Sequence, residues 1–188
     1  KIKFNNISDD IIINGNKYLK DNSYIIPMNQ PKRTLIKGMF NTQTKFRDSL
    51  FYDVSAWTFP LAFNINYSYT NNLSKSSVSK LFGEEITETK KPVGNVDSKS
   101  DYAYLFEPHE YYAQAALYHL IKEGLRIKTA TRKFSIKGKE FDYGTYLIPV
   151  QNQSMSSEGI YKKLIEVSQK YNVDFESQST GITNGIDL

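Results

Sequence analysis

The feature that most constrains this chain is that it nearly repeats itself. Residues 1 to 40 and residues 126 to 165 follow one plan. Lys1-Ile2-Lys3 lies opposite Arg126-Ile127-Lys128, Ile11 through Tyr18 opposite Phe134 through Phe141, and Tyr24-Ile25-Ile26-Pro27 opposite Tyr146-Leu147-Ile148-Pro149. Each copy then passes through a loop to a glutamine, Gln30 or Gln153, and into a helical pattern. Matched halves build the same supersecondary unit twice, with the ordinary recurrence of strand and turn chemistry as the competing explanation.

Within each copy the run before Pro27 or Pro149 is short, β-rich and almost continuously apolar, as in a strand covered on both faces. Asn14-Gly15 and Lys137-Gly138 sit between β-prone stretches and predict hairpin turns, where glycine supplies the positive φ. In the first copy Pro31 suits a first helical turn, and Leu35, Ile36, Met39 and Phe40 share one face. The second half alternates more clearly. Tyr102 to Phe106 predicts a strand, and Ala113, Ala116, Leu117, Leu120 and Ile121 predict a helix ended by Gly124. Strands are expected over 127 to 131 and 145 to 148, a helix around Ile160, Leu164, Ile165 and Val167, and a last strand over 173 to 177.

Strand, helix, strand, strand, helix, strand predicts crossovers and an α/β fold with a three-layer, mostly parallel sheet, carrying small hairpins and shared by the two halves. Residues 70 to 100, rich in Ser, Lys and Glu, are expected to be a mobile excursion. The whole chain, 1 to 188, then forms one domain with a first half over 1 to 69 and a second over 101 to 188. Phe46 to Phe63 favours helix, but Pro60 predicts two short pieces broken before it.

Composition narrows the chemistry. With 39% hydrophobic and 23% charged residues the chain lies outside the range that fails to collapse. Its net charge of +4 is scattered in pairs such as Lys32-Arg33 and Lys162-Lys163, which argues against a nucleic-acid surface. The absence of cysteine excludes a disulfide framework, a thiolate nucleophile and cysteine-held metals. No apolar run approaches the roughly 18 residues of a membrane span. A chain that opens on Lys1 rather than Met is expected to be an excised portion of something longer.

Five residues stand out as a possible ligand pocket at strand ends. His109 follows the strand ending at Phe106, where ligands of open α/β sheets bind. It lacks the second imidazole of a His-Glu-x-x-His helix, because the position four residues on is Ala113. His119 lies about three helical turns away. Gln30 and Gln153 end equivalent strands, and their amides can donate and accept without a nucleophile; loop or helix capping is the plainer role. Asp53 and Trp57 could offer a carboxylate and an aromatic platform, or a helix cap and a core anchor. The Gly-containing loop from Ser177 to Gly181 lacks the lysine and spacing of a phosphate loop. No catalytic, cofactor-binding or metal-binding residue is assigned.

Four stretches together resemble a known family. They are Tyr24 to Pro27 through Gln30-Pro31, Asp48 to Thr58 with Pro60 to Phe63, Tyr102 to Phe106, and Ser179 to Thr183 with Gly185 to Leu188. The stretch from Asp48 to Phe63 is the most specific. The chain resembles the region downstream of the catalytic domain in a subgroup of large bacterial zinc carboxypeptidase-like proteins, the carboxypeptidase A-like metallopeptidases, which end in a glutamine-amidotransferase-like domain. The resemblance spans nearly the whole chain except residues 70 to 100. It implies a flavodoxin-like or amidotransferase-like fold and a non-catalytic accessory domain that shapes or docks against the peptidase domain. Its partners would be the peptidase and amidotransferase-like domains of one polypeptide, its zinc would sit in the parent catalytic domain, and the parent would be exported. The family's His-x-x-Glu pair has no counterpart, since His109 is followed three residues on by Tyr112 and His119 by Lys122. The alternative function is a peptide- or glycan-binding module using Gln30, Asp53, Trp57, His109 and Gln153.

Overall fold

A computed structural model of the chain describes residues 1–42, 58–71, 80–88 and 91–185, and these form two compact units, 1–90 and 91–188. Unit two holds the larger core. It begins with β6 (Ala103–Phe106), α3 (Ala113–Lys122) and β7 (Lys128–Thr129), continues through a hairpin of β8 (Phe134–Ile136) and β9 (Lys139–Phe141), and closes with β10 (Tyr146–Pro149), α4 (Ser157–Tyr171) and β11 (Glu176–Gln178). The main sheet runs β11-β6-β10-β7, and every pairing in it is antiparallel.

This corrects the expected mostly parallel, three-layer, flavodoxin-like sheet. The fold is mixed α/β built on small, mainly antiparallel sheets, and the two matched halves do not share one: the segment ending at Pro27 belongs to a sheet in which Asn5–Ile7 lies between Tyr24–Ile25 and Phe82–Glu85. The reason is adjacency. β6 and β7 are both antiparallel to β10, so they run parallel to each other across α3, as a crossover demands, but with β10 between them. β10 and β11 are likewise parallel across α4 with β6 between. Renumbered within the main sheet alone the order is 4-1-3-2, the split β-α-β connectivity of ferredoxin-like domains.

The apolar strands were misleading because continuous apolar character reports two covered faces, whatever the direction of the neighbours. Tyr104, Phe106, Tyr146 and Ile148 point into a core with Ala113, Ala116 and Leu120 of α3 and Ile160, Leu164 and Val167 of α4. Ala103, Leu105 and Leu147, on the opposite face, pack against Phe134, Ile136 and Phe141 of the hairpin. The Phe134 and Phe141 rings stack with centroids 5.2 Å apart. A hairpin therefore does the work that a second helical layer does in a doubly wound sheet.

α4 starts where Ser156 accepts a hydrogen bond from the Gly159 amide, and stops at Asn172 in the left-handed conformation. Residues 95 to 97 lie along the last strand region: Phe175 N–H donates to Asn95 O, Asp97 N–H donates to Phe175 O, and Val96 is buried in the helical core.

Unit one contains β1 (Asn5–Ile7), a hairpin of β2 (Ile11–Ile13) and β3 (Asn16–Tyr18), β4 (Tyr24–Ile25), α1 (Arg33–Met39), α2 (Phe59–Ala62) and β5 (Phe82–Glu85). Residues 82 to 85, inside the stretch expected to be an excursion, pair with β1. Pro60 sits in the first turn of α2, where its missing N–H costs nothing. The rest of the helical pattern over 46 to 57 lies outside the described residues.

The repeat has a measurable geometry. Asn14-Gly15 has φ of 52° and 82°, Lys137-Gly138 has 51° and 80°, and both give the left-handed pair of a tight hairpin turn. In unit one Asn6 pairs with Tyr24 and Asn5 with Ile25; in unit two Thr129 pairs with Tyr146 and Lys128 with Leu147. The register thus sets Asn5 opposite Lys128, two residues from where the sequence match placed Lys1 opposite Arg126. The side chains of β7 are exposed, so packing does not fix their identity and they carry little register information.

Glycine substitutions separate two kinds of constraint. A Cβ at Gly138 meets nothing within 4 Å, so Gly138→Ala suffers only from its positive φ and should cost about 1 kcal/mol. A Cβ at Gly94 would strike the Val173 amide nitrogen at 2.5 Å and its carbonyl oxygen at 2.6 Å. Gly94→Ala should therefore lower stability by more than about 2 kcal/mol in urea unfolding; equal midpoints for the two variants would refute the close approach.

Candidate functional site

The two glutamines are structural clamps with identical wiring. Gln30 Oε1 accepts the Lys3 amide at 2.9 Å, while Nε2 donates to Lys3 O at 3.1 Å and to Pro27 O at 2.7 Å. Gln153 Oε1 accepts the Arg126 amide at 2.9 Å, while Nε2 donates to Arg126 O at 2.9 Å and to Pro149 O at 2.7 Å. Each side chain ties the chain leading into the first strand of its copy to the corner before its helix. These amides serve the backbone, which matches the capping role weighed from the sequence.

Of the five residues expected to line one pocket, Gln30 belongs to unit one, and Gln153 and His109 to unit two. Asp53 and Trp57 lie outside the described residues. Within unit two, no hydrogen bond joins Gln153 to His109 among the described residues. A groove of about 470 Å³ does follow β4, lined by Met28, Asn29, Gln30, Pro31 and Arg33.

A group of ionisable side chains gathers near His109, beyond the C-terminal end of β6. His109 Nδ1 stands 3.8 Å from Glu107 Oε1, and Lys139 Nζ stands 3.8 Å from Glu107 Oε2. Lys139 also pairs with Glu176 on β11 and lies over the Phe141 ring, 4.8 Å from its centroid. Glu110 Oε2 accepts the Asp174 amide at 3.0 Å. The loop after β6, the hairpin and the approach to β11 are thus tied together by charge. The run Glu107-Pro108-His109-Glu110 signalled one side of this cluster in the sequence; Lys139 and Glu176 gave no sign, because only the fold brings them there.

Burial pushes the Glu110 carboxyl up to about 7, and the nearby Asp174 and Glu107 charges add to the rise, against the lowering effect of the Asp174 amide. Glu110 can therefore exchange a proton near neutrality while Glu107 and Glu176 share Lys139. Among the described residues, no group of three or more His, Asp or Glu side chains has the arrangement to hold a metal ion. His119, on α3, hydrogen-bonds the Tyr171 hydroxyl through Nδ1 at 3.1 Å, and its buried Nε2, 3.8 Å from Glu123 Oε1, has no hydrogen-bond partner among the described residues.

Comparison with family models, with curated proteins and with solved structures found no match. No helix among the described residues is long and apolar enough to cross a membrane.

Two measurements probe these groups. Because the folded value of Glu110 lies above its ordinary 4.5, its favourable contribution is complete below pH 4.5 and is lost as pH rises through 7. Glu110→Gln should flatten stability between pH 5 and 8 and gain about 1 kcal/mol at pH 8, after discounting the shift for partial exposure. An unchanged pH profile would place the carboxyl in water. Gln153→Ala should cost about 1–3 kcal/mol, and Gln153→Glu should cost more, because a carboxylate would face two carbonyl oxygens; equal melting temperatures for all three proteins would dismiss the clamp.

Proposed function

We propose that this chain is a non-catalytic docking module, the accessory domain of an exported zinc carboxypeptidase-like protein, working by contact with the rest of that protein. The observation that carries docking is the contrast between the copies. Phe134, Ile136 and Phe141 are buried in unit two, while their equivalents Ile11, Ile13 and Tyr18 are only half-buried and Tyr24 is exposed. An apolar pattern kept without full cover marks a surface suited to a partner. α3 adds Tyr118 and Ile121, and Tyr111 lies just ahead of it, all exposed. The resemblance supplies the identity of the parent: a peptidase domain carrying the zinc and an amidotransferase-like domain. The polar work of Gln30 and Gln153 is consistent with a scaffold role.

The groove beside Arg33 favours a second reading, a peptide-binding module. Its volume falls in the range of small-molecule sites, and Arg33 could hold a carboxylate.

Mixing the chain with the separately expressed peptidase region of the parent distinguishes these. A docking module should bind that region with micromolar or tighter affinity in calorimetry and release no amino acid from carboxypeptidase substrates by itself. Binding of free peptides that is abolished by Arg33→Ala, with no binding to the peptidase region, would establish the second reading. A parent without zinc would remove the peptidase assignment.

A further inference from the structure

The chain holds two Asn-Gly pairs, Asn14-Gly15 and Asn184-Gly185. Such a pair carries a latent reaction, because glycine leaves its amide nitrogen unhindered beside the asparagine side-chain amide. Both pairs are exposed, so access of water does not separate them. Their backbones do.

Attack of the glycine nitrogen on the asparagine Cγ closes a five-membered ring through Cβ, Cα and the carbonyl carbon. A near-planar ring needs that nitrogen eclipsed with Cβ. For an L residue this sets the asparagine ψ at about −120°, the value at the first central residue of a type II′ turn. Asn14 and Gly15, with φ of 52° and 82°, are the central pair of a type I′ turn between the paired Ile13 and Asn16. Types I′ and II′ share the φ of the first central residue and differ by a flip of the one peptide plane between the two. That plane, the Asn14 C=O and the Gly15 N–H, makes no hydrogen bond among the described residues. A Cβ built on Gly15 meets nothing within 4 Å, so the flip has room, and glycine tolerates the change in the sign of φ. The Ile13 and Asn16 pairing need not break.

Asn184-Gly185 lacks this freedom. The carbonyl of the peptide that would have to turn, Asn184 O, accepts Ser135 N–H at 3.0 Å, and Asn184 N–H donates to Ser135 O at 2.9 Å. Gly185 is pressed against the start of the β8–β9 hairpin, where an added Cβ would lie 2.7 Å from Lys133 O. The equivalent turn in the other copy, Lys137-Gly138, has the backbone geometry without the amide.

We propose that Asn14 is a site of self-modification, converted with water to aspartate and isoaspartate through a succinimide, and that the fold selects it over Asn184. The reaction is independent of the docking reading. Gly15 N gives its proton to water or hydroxide and bonds to Asn14 Cγ, while Nδ2 takes up a proton and leaves as ammonia. Water then adds to one of the two imide carbonyls. Cleavage of the Cγ–N bond leaves aspartate on the original backbone. Cleavage between the nitrogen and the Asn14 carbonyl carbon leaves isoaspartate, with an extra methylene in the main chain. Both products exchange Nδ2, which donates to Tyr69 O at 3.4 Å, for a carboxylate. Isoaspartate also lengthens a two-residue turn whose flanking residues Asn16 and Tyr18 donate to Ser68 Oγ at 3.3 and 2.7 Å, so the change loosens the hairpin.

Storing the chain in warm, mildly alkaline buffer and following its peptides by mass spectrometry tests this, with isoaspartate read by enzymatic methylation of its new carboxylate. The peptide holding Asn14 should convert at least about tenfold faster than the one holding Asn184, whose peptide plane must first give up a backbone hydrogen bond and its packing. In urea the two rates should agree within about threefold. Equal rates in the folded chain, or faster conversion at Asn184, would overturn the proposal. So would a tenfold preference that survives in urea, which would make the selection one of local sequence alone. Asn14→Lys, which copies the turn of Lys137-Gly138, should abolish conversion in the peptide spanning 11 to 18; a methyl acceptor persisting there would move the reaction to Asn16 and count against the turn.

Discussion

The structure of unit two depends on covering both faces of a sheet that has no polar face. Ala103, Tyr104, Leu105 and Phe106 are all buried, so β6 cannot lie with either side in water. Two helices take one side, and the β8–β9 hairpin takes the other. Everything else in the unit follows from that double cover. The helices must cross to the same face, the hairpin must fold back rather than extend the sheet, and the ion pairs around Lys139 tie the hairpin to the loop and strand beside it. At about 25 cal/mol per Å² of apolar surface, the packed faces outweigh exposed ion pairs worth at most about 1 kcal/mol each.

Local features were legible in the sequence because they rest on local physics. Asn14-Gly15 and Lys137-Gly138 predicted turns, and the spacing of Ala113, Ala116 and Leu120 predicted a helix and its buried face. Sheet direction was not legible. A run such as Tyr-Leu-Ile-Pro records burial on both sides, and the neighbour's direction leaves no trace in it. A crossover helix fixes that β6 and β7 are parallel, but nothing in the chain says that β10 slips between them.

The candidate site was legible only in part for a related reason. Gln30 and Gln153 stood out as a repeated polar pair, and their equivalence is real in the geometry, yet their function is to bind main chain. Repetition of a residue shows that a position matters without showing what it touches. His109 led to the charged cluster, while Lys139 and Glu176 reach it from sequence positions 37 apart. Glu110 owes its altered acidity to burial, which no pattern of neighbours in the chain encodes.

Gly94 bears on how the polypeptide can be dissected. The backbone passes close to Val173, and the residues just after it accompany Phe175 and bury Val96. The natural cut for isolating unit two therefore lies ahead of this crossing rather than at the first strand of the main sheet. A fragment begun at residue 101 would shed the ribbon that shields Val173 and Phe175, leaving a greasy seam open to self-association; one begun at residue 91 would carry its own seal.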